Sequence, residues 1–117
     1  MCKFIQIEHI DCVNNLAEII KNDNVDGYIF GPNDLSGSIN LLGRPFDKKV
    51  TEIMKDAISE LRCNGKYIGI ASGGYKKEVL EHWSSFDIDI LVVGADFDFI
   101  RDLAIENRKT MEIVHKK

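Results

Sequence analysis

The feature that most constrains the fold of this chain is an apolar segment followed by a helical pattern, which recurs four times within 117 residues. The apolar segments have the length, and in part the alternation, of β-strands. They lie at residues 4–8, 27–30, 67–71 and 88–93. Because strands that alternate with helices form parallel sheets with right-handed crossovers, the pattern predicts one α/β domain over residues 1–117 with a four-stranded parallel sheet.

Apolar residues at spacings of three and four predict the helices between and after these strands. The clearest helix begins at an Asp47 cap and ends before Gly65, which has the position of a C′ glycine. Asp11 and Asp96 are predicted caps of the first and last helices. The other predicted helices lie at residues 11–20, 75–83 and 96–114. Residues 31–45 are rich in Gly, Asn and Ser and are predicted to form a loop.

Two α/β architectures fit this order of elements. One is a small doubly wound sheet of the flavodoxin type. The other is part of a (β/α)₈ barrel, which as a whole needs about 250 residues. The mostly apolar segment 88–93 suits a parallel strand that is buried on both faces in either architecture. The pattern of strands and helices does not choose between the two.

Composition and charge exclude several classes of protein. The net charge is −4, from 15 basic and 19 acidic side chains, and no basic stripe indicates a nucleic-acid partner. No apolar run reaches the ~18 residues that a membrane span requires. The three cysteines, Cys2, Cys12 and Cys63, lie far apart, without the spacing of a metal site. We therefore expect a cytoplasmic protein with reduced thiols that binds neither nucleic acid nor membrane.

Polar side chains end the first two predicted strands. Gln6 and Glu8 share one face of the first strand, and Asp34 follows the second. Neighbouring strands lie ~4.8 Å apart, so Glu8 and Asp34 could share a hard divalent cation, which prefers oxygen ligands. The alternative is that Glu8 is a solvated residue at the rim of the sheet and that Asp34 is a turn or cap residue. Sequence spacing leaves both interpretations open.

The stretch Gln6-Ile7-Glu8, together with residues 25–36 (VDGYIFGPNDLS), resembles the paired signature of the HpcH/HpaI aldolase/citrate lyase family. Gly65-Lys66 and residues 92–96 (VVGAD) fit the same register, so the resemblance covers about residues 4–105. It implies a (β/α)₈ barrel, of which this chain would be the C-terminal half, with strands five to eight and their helices. It also implies a pyruvate aldolase that uses a divalent metal and no Schiff-base lysine.

The resemblance further implies roles for single residues. Glu8 and Asp34 correspond to the metal ligands, with Mg²⁺, Mn²⁺ or Co²⁺ as the expected cofactor. Gln6, Asn33 and Asp34 correspond to residues that bind pyruvate or another 2-oxo acid. The general-base histidine and the arginine that steadies the enolate oxygen belong to the first half of such a barrel. No catalytic residue is therefore assigned within this chain.

The remaining chemically active side chains receive structural interpretations. His9 alternates away from the face of Glu8, His82 lies in a predicted helix, and His115 is near the terminus, so all three are expected to be structural or solvated. Arg44 could reach a phosphate or acid group, but we expect it to be a solvent-exposed loop residue.

The function implied by the resemblance is cleavage of a 2-keto-3-deoxy sugar acid, or a similar 4-hydroxy-2-oxo acid, to pyruvate and an aldehyde. The alternatives are a non-catalytic truncated half-barrel, a protein like the citrate or malyl-thioester lyases, and a flavodoxin-like binding domain. Half a barrel leaves an apolar inner face, which predicts a homo-oligomer. The isolated chain is expected to be inactive, which an aldol-cleavage assay with Mn²⁺ tests.

Overall fold

The computed structural model describes residues 1–116 and contains four strands and six helices. The strands are β1 (Phe4–Ile7), β2 (Gly27–Phe30), β3 (Tyr67–Ala71) and β4 (Ile90–Val92). The helices are α1 (Ile10–Asn14), α2 (Leu16–Ile19), α3 (Pro32–Ser38), α4 (Lys48–Cys63), α5 (Lys77–Ser84) and α6 (Asp96–His115). Over the described residues, no helix combines the length and the apolar composition needed to cross a bilayer.

All four strands are parallel, and their order in the sheet is the order of the chain, β1-β2-β3-β4. Gln6 of β1 pairs with Ile29, Ile29 with Gly69, and Gly69 with Ile90. A doubly wound sheet reverses its strand order at a switch point, whereas the strands of a barrel follow one another in a single direction. The sheet is therefore one half of a (β/α)₈ barrel, and the flavodoxin-type alternative does not fit.

The hydrophobic core lies between the helices and one face of the sheet. Tyr28 and Phe30 of β2, and Ile68 and Ile70 of β3, are fully buried on this face, with side chains 0% exposed. The amphipathic helix α4 covers them with the apolar side chains Val50, Met54, Ala57, Ile58 and Leu61. Because side chains alternate along a strand, this packing leaves the other face of the sheet without a layer of its own.

The opposite face of the sheet, which would form the interior of a complete barrel, is partly open to solvent. Phe4 is 37% exposed, Tyr67 60% and Val92 41%. The prediction that residues 88–93 are buried on both faces is therefore wrong for β4, because no described element covers its inner side. The apolar residues of α6, among them Ile100, Leu103, Met111 and Val114, are also exposed rather than turned into a core.

The ends of α4 confirm two predictions. The Asp47 carboxylate accepts a hydrogen bond from the Lys49 backbone N–H at 3.0 Å, as an N-cap does. Gly65 follows the C-cap Asn64 with φ +66°, the left-handed conformation expected of a C′ glycine. The strand predicted at residues 67–71 has the same bounds as β3.

The predicted caps of the first and last helices are wrong by one or two positions. His9 is the N-cap of α1, where its Nδ1 accepts from the Asp11 N–H at 3.2 Å, so Asp11 lies in the first turn. Ala95 is the N-cap of α6, and Asp96 is the first helical residue. The helix predicted over residues 11–20 is also interrupted at Asn15, whose side-chain amide donates to the Asp11 carbonyl at 2.8 Å.

The prediction that residues 31–45 form a loop is wrong for its first half, which contains α3. Pro32 opens this helix at a position where its ring fits and where a missing N–H costs nothing. Leu35 and Ser36 are both fully buried, which anchors the short helix against the core. Asp34 is therefore a first-turn residue of a helix and not part of an irregular turn.

Candidate functional site

Glu8 lies immediately after the last residue of β1, at the carboxyl edge of the sheet. Gln6 and Glu8 are exposed, while Ile7 between them is 1% exposed and points into the core. The two polar side chains therefore stand on the inner face, as the alternation of the strand predicts.

The backbone of Gly31 lies directly beneath these two side chains. A Cβ atom added to Gly31 would be 2.9 Å from Gln6 Nε2, 3.1 Å from Glu8 Cβ and 3.4 Å from Glu8 Oε2. Gly31 is the N-cap of α3, the helix that bears Asn33 and Asp34 in its first turn. The structure thus brings Gln6 and Glu8 to the start of the helix that carries the other two predicted site residues.

The orientation of α3 follows from its buried and bonded residues. The Ser36 hydroxyl donates to the Asn33 carbonyl at 2.6 Å, and Asn33 and Asp34 are exposed. The Ile10 backbone N–H donates to the Ser38 hydroxyl at 3.0 Å, which ties the segment after Glu8 to the end of α3. The bond between Ile10 and Ser38 connects the segments that follow β1 and β2 without using any of the predicted site side chains.

Asn33 also contacts the end of β3. A side chain at Gly73 would overlap the amide of Asn33, and Gly73 has φ +67°, a conformation that favours glycine. The sequence analysis did not single out Gly73, so it missed this contact. The adjacent glycines Gly73 and Gly74, one residue after the predicted strand 67–71, were the available signal, because glycine permits close approach by a neighbouring segment.

Ser72, which precedes Gly73, has a structural role. Its side chain is 5% exposed, and its hydroxyl bonds to the Val92 carbonyl at 2.9 Å. Its own carbonyl accepts from the Trp83 indole N–H at 3.2 Å, which connects the turn to α5. The turn is therefore held rigidly between β4 and α5, beneath the Asn33 amide.

The three histidines occupy different places. His9 caps α1, and His115 is the exposed last residue of α6. His82 packs among the rings of Phe46, Trp83 and Phe86. Within residues 1–116, its buried Nε2 atom has no hydrogen-bond partner. Burial, and secondarily the charge of Lys55, lowers the pKa of His82.

Asn33 stands between two cavities at the carboxyl edge of the sheet. The first has a volume of about 430 Å³ and is lined on its far side by Arg44, Phe46 and Asp47. The second has a volume of about 330 Å³ and is lined on its far side by Val92, Phe97 and Asp98. Over the part of the chain that the structure describes, no three His, Cys, Asp or Glu side chains form a group able to hold a metal ion. A cation at Glu8 and Asp34 would thus have two side-chain ligands from this chain.

Comparison with known families and proteins shows what the sequence is similar to. The model of the HpcH/HpaI aldolase/citrate lyase family matches residues 1–78. A 4-hydroxy-2-oxo-heptane-1,7-dioate aldolase from Salmonella paratyphi B is 35% identical, over 82% of this chain and 39% of that protein. A protein of the same name from Salmonella dublin matches to the same extent. The chain therefore spans about two-fifths of the length of these curated relatives.

Solved structures resemble the fold over nearly the whole chain. An HpcH/HpaI aldolase from Desulfitobacterium hafniense superposes with a TM-score of 0.83 and 23% identity, over 93% of this chain and 42% of that chain. The citrate synthase SbnG superposes with a TM-score of 0.84 and 18% identity, over 99% of this chain and 46% of that chain. At these identities the likeness shows the fold alone, and the coverage agrees with one half of a barrel.

Proposed function

The chain belongs to the HpcH/HpaI aldolase/citrate lyase family, and we propose that it supplies the metal and pyruvate half-site of a carbon–carbon lyase. The substrate is a 2-keto-3-deoxy sugar acid or a similar 4-hydroxy-2-oxo acid, which is cleaved to pyruvate and an aldehyde. One observation carries the proposal. Gln6 and Glu8 both lie over Gly31, at the start of the helix that bears Asn33 and Asp34.

The two carboxylates suit a hard divalent cation such as Mg²⁺, Mn²⁺ or Co²⁺. Glu8 and Asp34 are both exposed, so a cation bound to them retains room for water and for substrate oxygens. When bound, such a cation supplies Lewis-acid polarisation of the substrate keto group. The interaction stabilises negative charge that is greater in the transition state than in the substrate, which is the condition for catalysis.

Gln6 and Asn33 are proposed to position the 2-oxo acid. Both carry a side-chain amide that can donate hydrogen bonds to a carboxylate or a keto oxygen. Gln6 lies on the inner face of β1 over Gly31, and Asn33, in the first turn of α3, has its amide beside Gly73. Amides fixed on a strand and a helix orient a ligand better than amides on flexible loops do.

The chain alone is proposed to lack the proton-transfer groups. Cleavage breaks the bond between C3 and C4, and a base must accept the proton of the 4-hydroxyl group. His9 is engaged as a helix cap and His82 packs among aromatic rings. We therefore assign the general base, and the arginine that steadies the enolate oxygen, to another part of a complete barrel. This part corresponds to the three-fifths of the relatives' length that the chain does not match.

A homo-oligomer is proposed from the two uncovered apolar surfaces. One is the inner face of the sheet, with Phe4, Tyr67 and Val92, and the other is the apolar side of α6. Burial of apolar surface is worth about 25 cal/mol per Å², so association of copies through these surfaces is favourable.

Pyruvate binding in the presence of Mg²⁺ tests the half-site. Saturation-transfer NMR should detect pyruvate bound to the chain with Mg²⁺ and lose that signal after chelation with EDTA. Asp34→Asn should abolish the signal because it removes a charged metal ligand. Asp23→Asn, at an exposed position between α2 and β2, is the matched control and should leave binding unchanged. Pyruvate binding that is independent of Mg²⁺ would contradict the proposal.

The absence of turnover by the chain alone is a separate expectation. Pyruvate release from 4-hydroxy-2-oxoheptanedioate with Mn²⁺ should not exceed the rate with Mn²⁺ in buffer. Turnover that Glu8→Gln abolishes would show instead that this chain carries its own proton-transfer groups.

A further inference from the structure

We infer that the Arg44 cavity, the space of about 430 Å³ lined by Asn33, Arg44, Phe46 and Asp47, binds the part of the substrate that leaves as the aldehyde. We further infer that Arg44 recognises a carboxylate at the far end of that part. The inference rests on the proposed function, because it places pyruvate at Gln6, Glu8, Asn33 and Asp34.

The position of the cavity fits a substrate that extends from the pyruvate half-site. Asn33 belongs to that half-site and also lines the Arg44 cavity, so the cavity borders the half-site at this residue. Gly73, which lies beneath the Asn33 amide, also lines the cavity. A 4-hydroxy-2-oxo acid with its keto-acid end at Asn33 therefore has room for its remaining carbons beside Phe46.

The Arg44 cavity offers one cationic side chain to an acidic group of a ligand. Among the described residues that line it, Arg44 is the single cation. Its guanidinium has five N–H donors, and one of its terminal nitrogens, Nη2, donates a hydrogen bond to Asp47 Oδ2 at 2.6 Å. Arg44 is 65% exposed, so its remaining donors can reach a ligand carboxylate. A planar guanidinium suits this partner because it can donate two parallel hydrogen bonds.

Asp47 also lines the cavity, and both of its carboxylate oxygens already accept hydrogen bonds. Its Oδ2 accepts from Arg44 and its Oδ1 accepts from the Lys49 N–H at 3.0 Å, at the start of the 16-residue helix α4. Its side chain is only 17% exposed. Asp47 therefore holds Arg44 in place more than it repels an incoming anion.

The second cavity beside Asn33 is a poorer place for a carboxylate. Its far side is formed by Val92, Phe97 and Asp98, so it offers apolar surface and one carboxylate. Asp98 pairs with Arg101 at 3.0 Å, yet Arg101 does not line that cavity. Each arginine thus pairs with an aspartate three positions away in the sequence, and Arg101 also pairs with Asp102. Only Arg44 lines a cavity that Asn33 also lines.

Two ligands that differ by one carboxylate test the inference. 2-Oxoheptanedioate and 2-oxoheptanoate share the keto-acid end and the carbon chain, and only the former has a distal carboxylate. Their dissociation constants for the chain with Mg²⁺ are measured by NMR titration in wild type, Arg44→Gln and Arg101→Gln. The wild type should bind the diacid about tenfold more tightly, the effect expected of one charge-assisted contact.

Arg44→Gln should remove this preference and leave the affinity for 2-oxoheptanoate unchanged. Arg101→Gln, which removes an arginine that pairs with Asp98 and Asp102 and does not line the Arg44 cavity, should keep the preference. Arg44→Lys should retain part of it because it keeps the charge and loses the planar fork. Far-UV circular dichroism establishes that each variant is folded.

Equal binding of the two ligands by wild type, or a preference that survives in Arg44→Gln, would overturn the inference while leaving the pyruvate half-site intact. If neither ligand binds in a way that depends on Mg²⁺, the proposed half-site is wrong and the inference falls with it.

Discussion

At the residue scale, Gly73 is the position where backbone conformation and the candidate site are most closely linked. Gly73→Ala should destabilise the fold by about 1 kcal/mol, because an L residue at positive φ is strained. It should also displace the Asn33 amide and weaken Mg²⁺-dependent pyruvate binding. Gly65→Ala is a matched control, since Gly65 has φ +66° and nothing within 4 Å of an added Cβ. Equal effects of both variants on pyruvate binding would contradict a role for the contact between Asn33 and Gly73.

His82 gives the fold a specific dependence on pH. Its pKa is lowered by burial in the folded state, so the neutral ring is favoured there and the charged ring is favoured in the unfolded chain. Its contribution is therefore fully present above the unfolded pKa of about 6.5 and is lost as pH falls through the lowered value. Urea unfolding at pH 7.5 and pH 5 should show a smaller loss of stability for His82→Leu than for wild type. An identical loss in both would contradict this account, and His115→Gln, at an exposed position, should behave as wild type.

At the element scale, Arg62 connects the end of α4 to β3 and β4. Its Nη1 atom donates to the Asp89 carboxylate at 3.1 Å, and Asp89 Oδ2 also accepts a hydrogen bond from the Ile68 N–H at 2.9 Å. The hydrogen bond from Ile68, followed by the contact with Arg62, lowers the pKa of Asp89. This stabilisation is present above the usual carboxyl pKa near 3.9 and is lost as pH falls through the lowered value.

Asp89→Asn should therefore loosen the three-residue strand β4. Hydrogen exchange of the β4 amides should accelerate at pH 7, because the charged contact to Arg62 is lost and the bond from Ile68 is weakened. Asp87→Asn is the matched control, since Asp87 is 73% exposed and also pairs with Arg62. If hydrogen exchange accelerates as much in Asp87→Asn as in Asp89→Asn, the effect comes from the loss of an ion pair to Arg62. The bond between Asp89 and the Ile68 N–H would then have no separate role.

The sequence predicted most elements that bury a regular apolar pattern. The pattern of α4 and the length of β3 were sufficient because each element packs against the core along its whole length. Helix α3 was missed because Gly, Asn and Ser dominate it locally, and its stability comes from the burial of Leu35 and Ser36. Helix α6 was predicted from its apolar spacing, and its apolar residues Ile100, Leu103, Met111 and Val114 are exposed in the structure.

The candidate site was predictable only in part. Alternation along β1 placed Gln6 and Glu8 on one face, and the structure places both over Gly31. The contact of Asn33 with Gly73 joins positions that are forty residues apart in the sequence, so local spacing could not have predicted it. The contributions of Arg44 and Phe46 to a shared cavity likewise depend on how the segment after α3 folds back.

At the scale of the whole molecule, the shape indicates incomplete packing. The radius of gyration is 17.5 Å, with extents of 64 × 34 × 21 Å. A compact chain of this length has a radius of gyration of about 13 Å. The excess arises in part from α6, none of whose residues is buried. Multi-angle light scattering should therefore give twice 13.3 kDa or a higher multiple. A stable species of 13.3 kDa at micromolar concentration would contradict the proposed association.

Binding of Mn²⁺ tests the central proposal, that Glu8 and Asp34 form the metal half-site, most directly. Electron paramagnetic resonance measures free Mn²⁺ during titration of wild type, Glu8→Gln, Asp34→Asn and the control Glu18→Gln. Glu18 is an exposed residue of α2 that pairs with Lys21 at 2.6 Å. We predict one site in wild type and in Glu18→Gln that pyruvate strengthens, and at least tenfold weaker binding in the other two variants. Equal Mn²⁺ affinity in all four proteins, or no effect of pyruvate on wild type, would contradict the account.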